Sequence, residues 1–401
     1  YYTSLLPGSF KQYSTPFDSF WCCVGTGMEN HSKYAESIYF KDNQELLVNL
    51  YIPSRLHWKE KGLKLTLDTY FPESDTVTVR MDEIGSYTGT LLFRYPDWVS
   101  GDAVVRINGE PAQTEAHKGS YIRLLDSVKS GDVITLVFTR NLYIDYAKDE
   151  PHFGSVMYGP ILLAGGLGTD DMPEDRVIDN RACRESLPAK NIPMLVGPLT
   201  DLDSWIQCSS QHPLRFTVKN GGGQQGVGLV PYFQMHHQRH TVYWKLYSPD
   251  EFVYRTRSLT DEVKIGDETD ERKHALQGEN DSIYWHDYFW AKNTRFRMAK
   301  DGWFSYTLHI NKTEQKPYHL ICRFWGDEPD TCQFDILIDG NYLRTVSLNR
   351  KLYLTYVDDV YSIPADWTRG KDKVNVTFRA AQGKNAGGLY ELKITSDTNY
   401  R

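Results

Sequence analysis

Leu47-Val48-Asn49-Leu50-Tyr51-Ile52-Pro53 reads as a strand that proline stops, and the text around it decides the fold. From Glu45 onward the apolar period becomes two. Leu63–Tyr70, Thr76–Met81, Thr88–Tyr95, Ala103–Asn108, Tyr121–Leu125 and Val133–Arg140 follow as short strands. Turn chemistry such as Asn108-Gly109 and Ser130-Gly131-Asp132 separates them. Regular short strands with such turns predict an antiparallel sandwich or barrel rather than a βαβ fold. Residues 165–203 are turn-rich, an excursion from the sandwich. Strand-like text returns at Leu214–Val218 and Thr241–Tyr247, and Pro249 to about Glu268 reads as a charged connector. A second all-β unit then runs through Trp303–Ile310, His319–Trp325, Cys332–Asp339, Leu343–Leu348, Val374–Ala380 and Leu389–Ile394.

Length and composition bound the function. At 401 residues the chain has room for two to three domains. Its 45 basic and 52 acidic residues give a net charge of −7, with no basic block, which argues against a nucleic-acid or anionic-membrane partner. The longest apolar stretch, 156–164, is too short for a spanning helix and is interrupted by Gly159 and Pro160. The aromatic load, 27 Tyr, 17 Phe and 10 Trp, suits sandwich cores and also rings that stack on sugar faces.

Upstream of the strands lies Phe20-Trp21-Cys22-Cys23-Val24-Gly25-Thr26-Gly27-Met28-Glu29-Asn30-His31, where a Gly-rich turn leads into a helix expected over 28–39. Adjacent Cα atoms sit about 3.8 Å apart, below the usual disulfide range. The two thiols are therefore free, paired elsewhere or bound to a metal. Two thiolates on one tight turn can both reach a single Zn²⁺, and a helix N-terminus beside them favours the thiolate. Two buried cysteines acting as small hydrophobes are the plain alternative. Glu29 and His31 fall beside the thiols, where Glu29 suits the first helical turn and His31 suits the core.

These residues resemble glycoside hydrolase families 127 and 146, the β-L-arabinofuranosidase-like enzymes. The resemblance continues through Arg94-Tyr-Pro-Asp-Trp98, Ile107-Asn-Gly109, Val156-Met-Tyr-Gly-Pro160, Thr241-Val-Tyr-Trp244, Gly302-Trp-Phe-Ser-Tyr306 and Phe334-Asp-Ile-Leu-Ile-Asp-Gly340. It implies a mostly β chain in which the last helical piece of an (α/α)6 barrel, residues 1–40, precedes antiparallel, jelly-roll-like β-sandwich domains at 41–248 and 249–401. It also implies Zn²⁺ held by two adjacent cysteines, an upstream Glu and an upstream Cys. Carried over, Cys22 is nucleophile and metal ligand, Cys23 is a metal ligand, and the acid/base is an upstream Glu. Retaining glycosidases ordinarily use two carboxyl groups about 5–5.5 Å apart, and here a thiolate takes the attacking role. The 21 residues before Cys22 contain no Glu, Cys or His. The chain is therefore expected to carry one edge of a site that the N-terminal part of the same protein completes, and to be inactive alone. The implied substrate is an arabinofuranose-containing plant glycan, and the implied address is secreted or periplasmic.

Two competing readings stand beside this one. The first is a non-catalytic carbohydrate-binding or scaffold protein, with Trp285, Trp290, Trp303 and Trp325 as stacking rings or as core. The second keeps the zinc as a closed structural site. His236-His237-Gln-Arg-His240 has metal-like content on strand-like text, where the three rings need not converge. Cys322 and Cys332 flank Gly326–Asp330 and are expected opposite each other in a hairpin, as a disulfide or as two buried thiols.

Overall fold

A computed structural model of the chain describes residues 2–3, 7–18, 22–42, 44–148, 150–172, 177–178, 192–219, 221, 226–285, 294–326, 331–349 and 356–397. The architecture is mostly β. The chain forms two compact units, 1–184 with 190–247, and 248–401 with 185–189.

In the first unit, six strands form an antiparallel sheet in the order Glu110–Pro111, Val104–Ile107, Val133–Val137, Thr76–Glu83, Leu63–Thr69, Ser54–Trp58. A five-stranded sheet runs Thr114–Ala116, Tyr121–Leu124, Leu91–Arg94, Glu45–Val48, Tyr39–Asp42, with Glu45–Val48 parallel to Leu91–Arg94. The two sheets share one core. Alternation supplies it: Leu63, Leu65 and Leu67 are fully buried, and Val77, Val79 and Met81 meet them from the neighbouring strand. Phe93, Ile122, Ile134 and Leu136 fill the remaining space. Each such side chain contributes about 1.5–3 kcal/mol relative to exposure, so a one-residue slip in register is strongly disfavoured.

A further nine-stranded sheet of this unit spans Leu142–Tyr146 to Trp244–Tyr247. Its separate core gathers Val156, Leu163, Trp205, Phe216, Leu229, Trp244 and Leu246. Part of the expected excursion at 165–203, namely 173–176 and 179–191, lies outside the described residues.

The second unit is built on one nine-stranded antiparallel sheet. Its main path runs Asn341–Ser347, Gln333–Ile338, Lys373–Ala380, Arg295–His309, Asn385–Thr395, Tyr318–Trp325, Tyr356–Ile363. Leu259–Val263 adds to Asn385–Thr395, and Gln277–Trp285 adds to Arg295–His309. One core holds it, with Phe304, Tyr306, Leu320, Phe324, Phe334, Phe378 and Leu392 all buried.

Several expectations need correction. The helix occupies Cys22–Lys33 and not 28–39, and none of its residues is buried. Residues 34–37 form a turn and Tyr39–Asp42 is already a strand. Among the described residues of 1–40 a segment of an (α/α)6 barrel is not clearly visible; besides the helix they hold the short strands Tyr2–Thr3 and Lys11–Ser14. The charged connector contains a helix, Pro249–Ser258. Cys322 and Cys332 are buried thiols that share no disulfide. The strands that carry or adjoin them, Tyr318–Trp325 and Gln333–Ile338, are not neighbours in the sheet, so no hairpin joins the two thiols.

Candidate active site and a second ligand cluster

Cys22 and Cys23 are the first two residues of the helix Cys22–Lys33. Both thiols are free and exposed, and their Sγ atoms lie 4.0 Å apart. Two sulfurs on one tetrahedral Zn²⁺, each at about 2.3 Å, stand about 3.8 Å apart. The pair therefore fits half of a tetrahedral zinc site without rearrangement. Among the described residues no third Cys, His, Asp or Glu joins them in a ligand group. The helix carries no acidic residue in its first turn and has His31 and Lys33 in its last. Glu29 thus lies beyond the first turn. His31 is exposed and packs edge-on against Tyr34, with ring centroids 5.3 Å apart, so the core placement expected for it is wrong.

The three histidines at 236–240 do not converge. His236 Nδ1 and the Tyr13 hydroxyl lie 2.6 Å apart, and its Nε2 is 2.8 Å from the Phe233 carbonyl oxygen. His237 also packs against the Tyr13 ring, with centroids 5.3 Å apart. His240 is buried, 4% exposed, with its ring against Tyr232. Burial, aided by Lys11, pushes its pKa down to about 4. Of the four tryptophans weighed as sugar-stacking rings, Trp325 is buried and Trp303 half-buried. Trp285 is 51% exposed with the Arg295 guanidinium 4.5 Å from its ring centroid, and Trp290 lies outside the described residues.

The second unit holds a group that the sequence did not single out. Asp261, His274 and His309 bring one ligand atom each within 4.8 Å of one another. Asp261 follows a β-bulge in Leu259–Val263. His274 is the C-cap of the short helix Glu268–Lys273, and His309 ends the strand Arg295–His309. Burial works to raise the Asp261 carboxyl, but hydrogen bonds from the His309 N–H, the His274 ring and the Glu262 N–H outweigh it. They hold its pKa below the usual value. No short motif announces these residues, since Asp261 precedes His274 by 13 positions and His309 by 48.

Comparison with known proteins addresses the chain piece by piece. Residues 1–36 match the β-L-arabinofuranosidase GH127 catalytic domain, and residues 45–140 match the GH127 middle domain. Residues 143–246 and 256–395 match two domain families of unknown function. No curated protein matches. Among solved structures, a glycoside hydrolase is 19% identical with a TM-score of 0.43, covering 58% of this chain and 41% of its own. A GH127 β-L-arabinofuranosidase from Geobacillus stearothermophilus T6 is 16% identical with a TM-score of 0.38, covering 56% of this chain and 37% of its own. A further GH127 β-arabinofuranosidase is 16% identical with a TM-score of 0.39, covering 62% and 43% respectively. The chain thus spans about two-fifths of the length of these relatives. No helix among the described residues is long and apolar enough to cross a membrane. Over residues 1–36 and 45–140 the chain is thus similar to the catalytic and middle domains of the GH127 β-L-arabinofuranosidases.

Proposed function

We propose that this chain is part of a zinc-dependent retaining glycoside hydrolase that releases β-L-arabinofuranose, with the Cys22 sulfur as nucleophile. The observation that carries this reading is the pair of exposed thiols 4.0 Å apart at a helix start, inside the stretch matching the GH127 catalytic domain. Cys22 and Cys23 would hold Zn²⁺, whose charge would keep both sulfurs deprotonated. The Cys22 sulfur bonds to the anomeric carbon while the glycosidic carbon–oxygen bond breaks. The leaving oxygen takes its proton from a carboxylic acid. Water, deprotonated by that same group, then displaces the sulfur, and two inversions give net retention.

The carboxylic acid and the other zinc ligands would come from polypeptide upstream of Tyr1. This is in keeping with the absence of a third ligand group at the thiols among the described residues. The substrate would be an arabinofuranose-bearing plant glycan or glycoprotein, met outside the cytoplasm by a secreted or periplasmic enzyme; recovery of the native protein from the cytosolic fraction alone would count against that address. The deciding measurement is release of L-arabinose from an aryl β-L-arabinofuranoside. The chain joined to its upstream polypeptide should turn over. Cys22→Ala and Cys22→Ser should lower kcat by about 10³-fold or more with the circular dichroism spectrum unchanged. The present chain alone should release none. Full turnover by the Cys22 variants would refute the assignment of the nucleophile.

A further inference from the structure

We propose that Asp261, His274 and His309 form a second metal site, selective for a divalent first-row cation and Zn²⁺ in particular, within the unit 248–401. The ligand atoms of the three side chains converge, all within 4.8 Å of one another. His274 Nδ1 lies 2.8 Å from the Asp270 carbonyl oxygen, an acceptor that has no proton of its own, so Nδ1 carries the hydrogen and donates it. That turns the other ring nitrogen, Nε2, towards Asp261, 3.3 Å from its Oδ1. The carboxylate already accepts two backbone N–H bonds, from His309 to Oδ2 at 2.6 Å and from Glu262 to Oδ1 at 3.0 Å. Its remaining lone pairs face His274 Nε2 and His309 Nδ1, the latter 3.1 Å from Oδ2. A divalent cation seated among these atoms would be held by one ligand atom from each of the three side chains.

Distances and support favour a metal in that role. Nitrogen and oxygen ligands at about 2.0–2.1 Å from tetrahedral Zn²⁺ stand about 3.3 Å apart; His274 Nε2 is 3.3 Å from Asp261 Oδ1, His309 Nδ1 is 3.1 Å from Asp261 Oδ2, and one ligand atom from each residue lies within 4.8 Å of the other two. The Asp270 carbonyl fixes the His274 ring as outer partners of metal-bound histidines do. Backbone bonds hold the three elements together: Thr307 N–H donates to the His274 carbonyl at 2.7 Å, and Asp267 caps the intervening helix through the Thr269 and Asp270 N–H groups. Two imidazoles and one carboxylate suit Zn²⁺ better than Ca²⁺ or Mg²⁺, which take oxygen sets. The side chain of His274 is 7% exposed and that of His309 is 65% exposed, so the site is anchored on one side and open to water on the other.

The test uses the whole chain carrying Cys22→Ser and Cys23→Ser, stripped of metal by a chelator, so that the paired thiols contribute nothing. Titration calorimetry with Zn²⁺ should show one saturable equivalent at micromolar concentration. Adding His309→Ala, at an exposed side chain whose loss leaves the core intact, should weaken that binding at least ~10-fold, the low end for disturbing a metal's partners. Asp261→Asn should do the same. Co²⁺ in place of Zn²⁺ should give visible d–d bands without thiolate charge transfer. Absence of a saturable equivalent, or binding that His309→Ala leaves undiminished, would overturn the proposal and leave a hydrogen-bonded triad. If Asp261→Asn fails to fold, the titration of His309→Ala decides between the two.

Discussion

Arg297 and Glu271 meet side by side inside the second unit, Nε to Oε1 at 3.0 Å and Nη2 to Oε2 at 2.9 Å, with side chains only 8% and 3% exposed. The Tyr306 hydroxyl donates to Glu271 Oε1 at 2.7 Å, and Asp281 takes the remaining side of the guanidinium. Burial opposes the charge on Arg297, yet Glu271, Tyr306 and Asp281 together hold it firmly protonated.

Removing the Glu271 charge leaves the buried Arg297 guanidinium with Asp281 alone to compensate it, and removing Arg297 leaves Glu271 buried without its cation. Glu271→Gln should therefore destabilise the second unit by about 3–5 kcal/mol. Arg297→Met in a Glu271→Leu background should cost far less than Arg297→Met alone, because no orphan carboxylate remains at position 271. Hydrogen exchange of the Phe304 and Tyr306 amides under increasing urea reads this locally, without assuming that both units unfold together. Equal protection in wild type and Glu271→Gln would contradict the account.

His240 gives the first unit an acid-side weakness. Its folded pKa is pushed down from 6.5 to about 4 by burial, and among the described residues its Nδ1 has no hydrogen-bond partner. Above pH 6.5 the ring is neutral in both folded and unfolded chains and contributes no pH dependence. As pH falls from 6.5 towards 4, the unfolded chain binds a proton that the folded chain refuses. Stability then drops by about 1.4 kcal/mol per pH unit, to a total of about 3 kcal/mol. His240→Gln should lack this component. Urea unfolding at pH 7 and pH 4.5 should show a smaller loss in the variant than in wild type, and parallel losses would disprove the assignment.

Strands that bury one face were legible from the sequence, because each misplaced Leu65 or Val79 would expose a large side chain. Ser54–Trp58 was not, since Arg55 and His57 are exposed on a strand at the sheet's edge. The helix at Cys22–Lys33 was placed too late because no residue of it is buried, so no apolar face marks where it begins. Pro249–Ser258 did announce itself. Ser248 and Glu251 form a capping box, with Glu251 N–H to Ser248 Oγ at 3.3 Å and Ser248 N–H to Glu251 Oε2 at 2.9 Å. Pro249 then stands at the first helical position, and the signal was masked by the segment's charge. The thiols of Cys22 and Cys23 were readable as a local motif. Asp261, His274 and His309 were not, because a β-bulge, a helix cap and a strand end bring them together.

Thiol accessibility divides the described cysteines cleanly. Cys22, Cys23 and Cys208 are exposed, whereas Cys322 and Cys332 are buried. Burial, then Asp359 and Asp358, push the Cys322 thiol well above its ordinary value, which removes the reactive thiolate as well as the access. Iodoacetamide on the native chain should label Cys22, Cys23 and Cys208, and leave Cys322 and Cys332 unlabelled until denaturant is added. Peptide mass spectrometry reads each site. Labelling of Cys322 in the native chain at the rate of Cys208 would mean that the second core is open.

Arg140 carries the junction between the stretch matching the GH127 middle domain and the sheet that follows it. Its side chain is 4% exposed, its Nε donates to Asp75 Oδ1 at 2.5 Å and its Nη1 to the Pro72 carbonyl at 2.6 Å. The guanidinium carbon lies 4.7 Å from the Tyr158 ring centroid and 5.5 Å from that of Phe71. Gly159 closes over the stem with φ +54, where a Cβ would stand 2.6 Å from Arg140 Cγ. Arg140→Lys keeps the charge but loses the planar fork and the ring stacking, so it should cost about 2–3 kcal/mol. Gly159→Ala should cost about 1–3 kcal/mol through left-handed backbone strain and displacement of the same stem. Because both changes act on one contact, the double variant should lose less than the two single losses together. Urea unfolding of the four proteins measures that coupling, and strictly additive losses would show that Gly159 and Arg140 act independently.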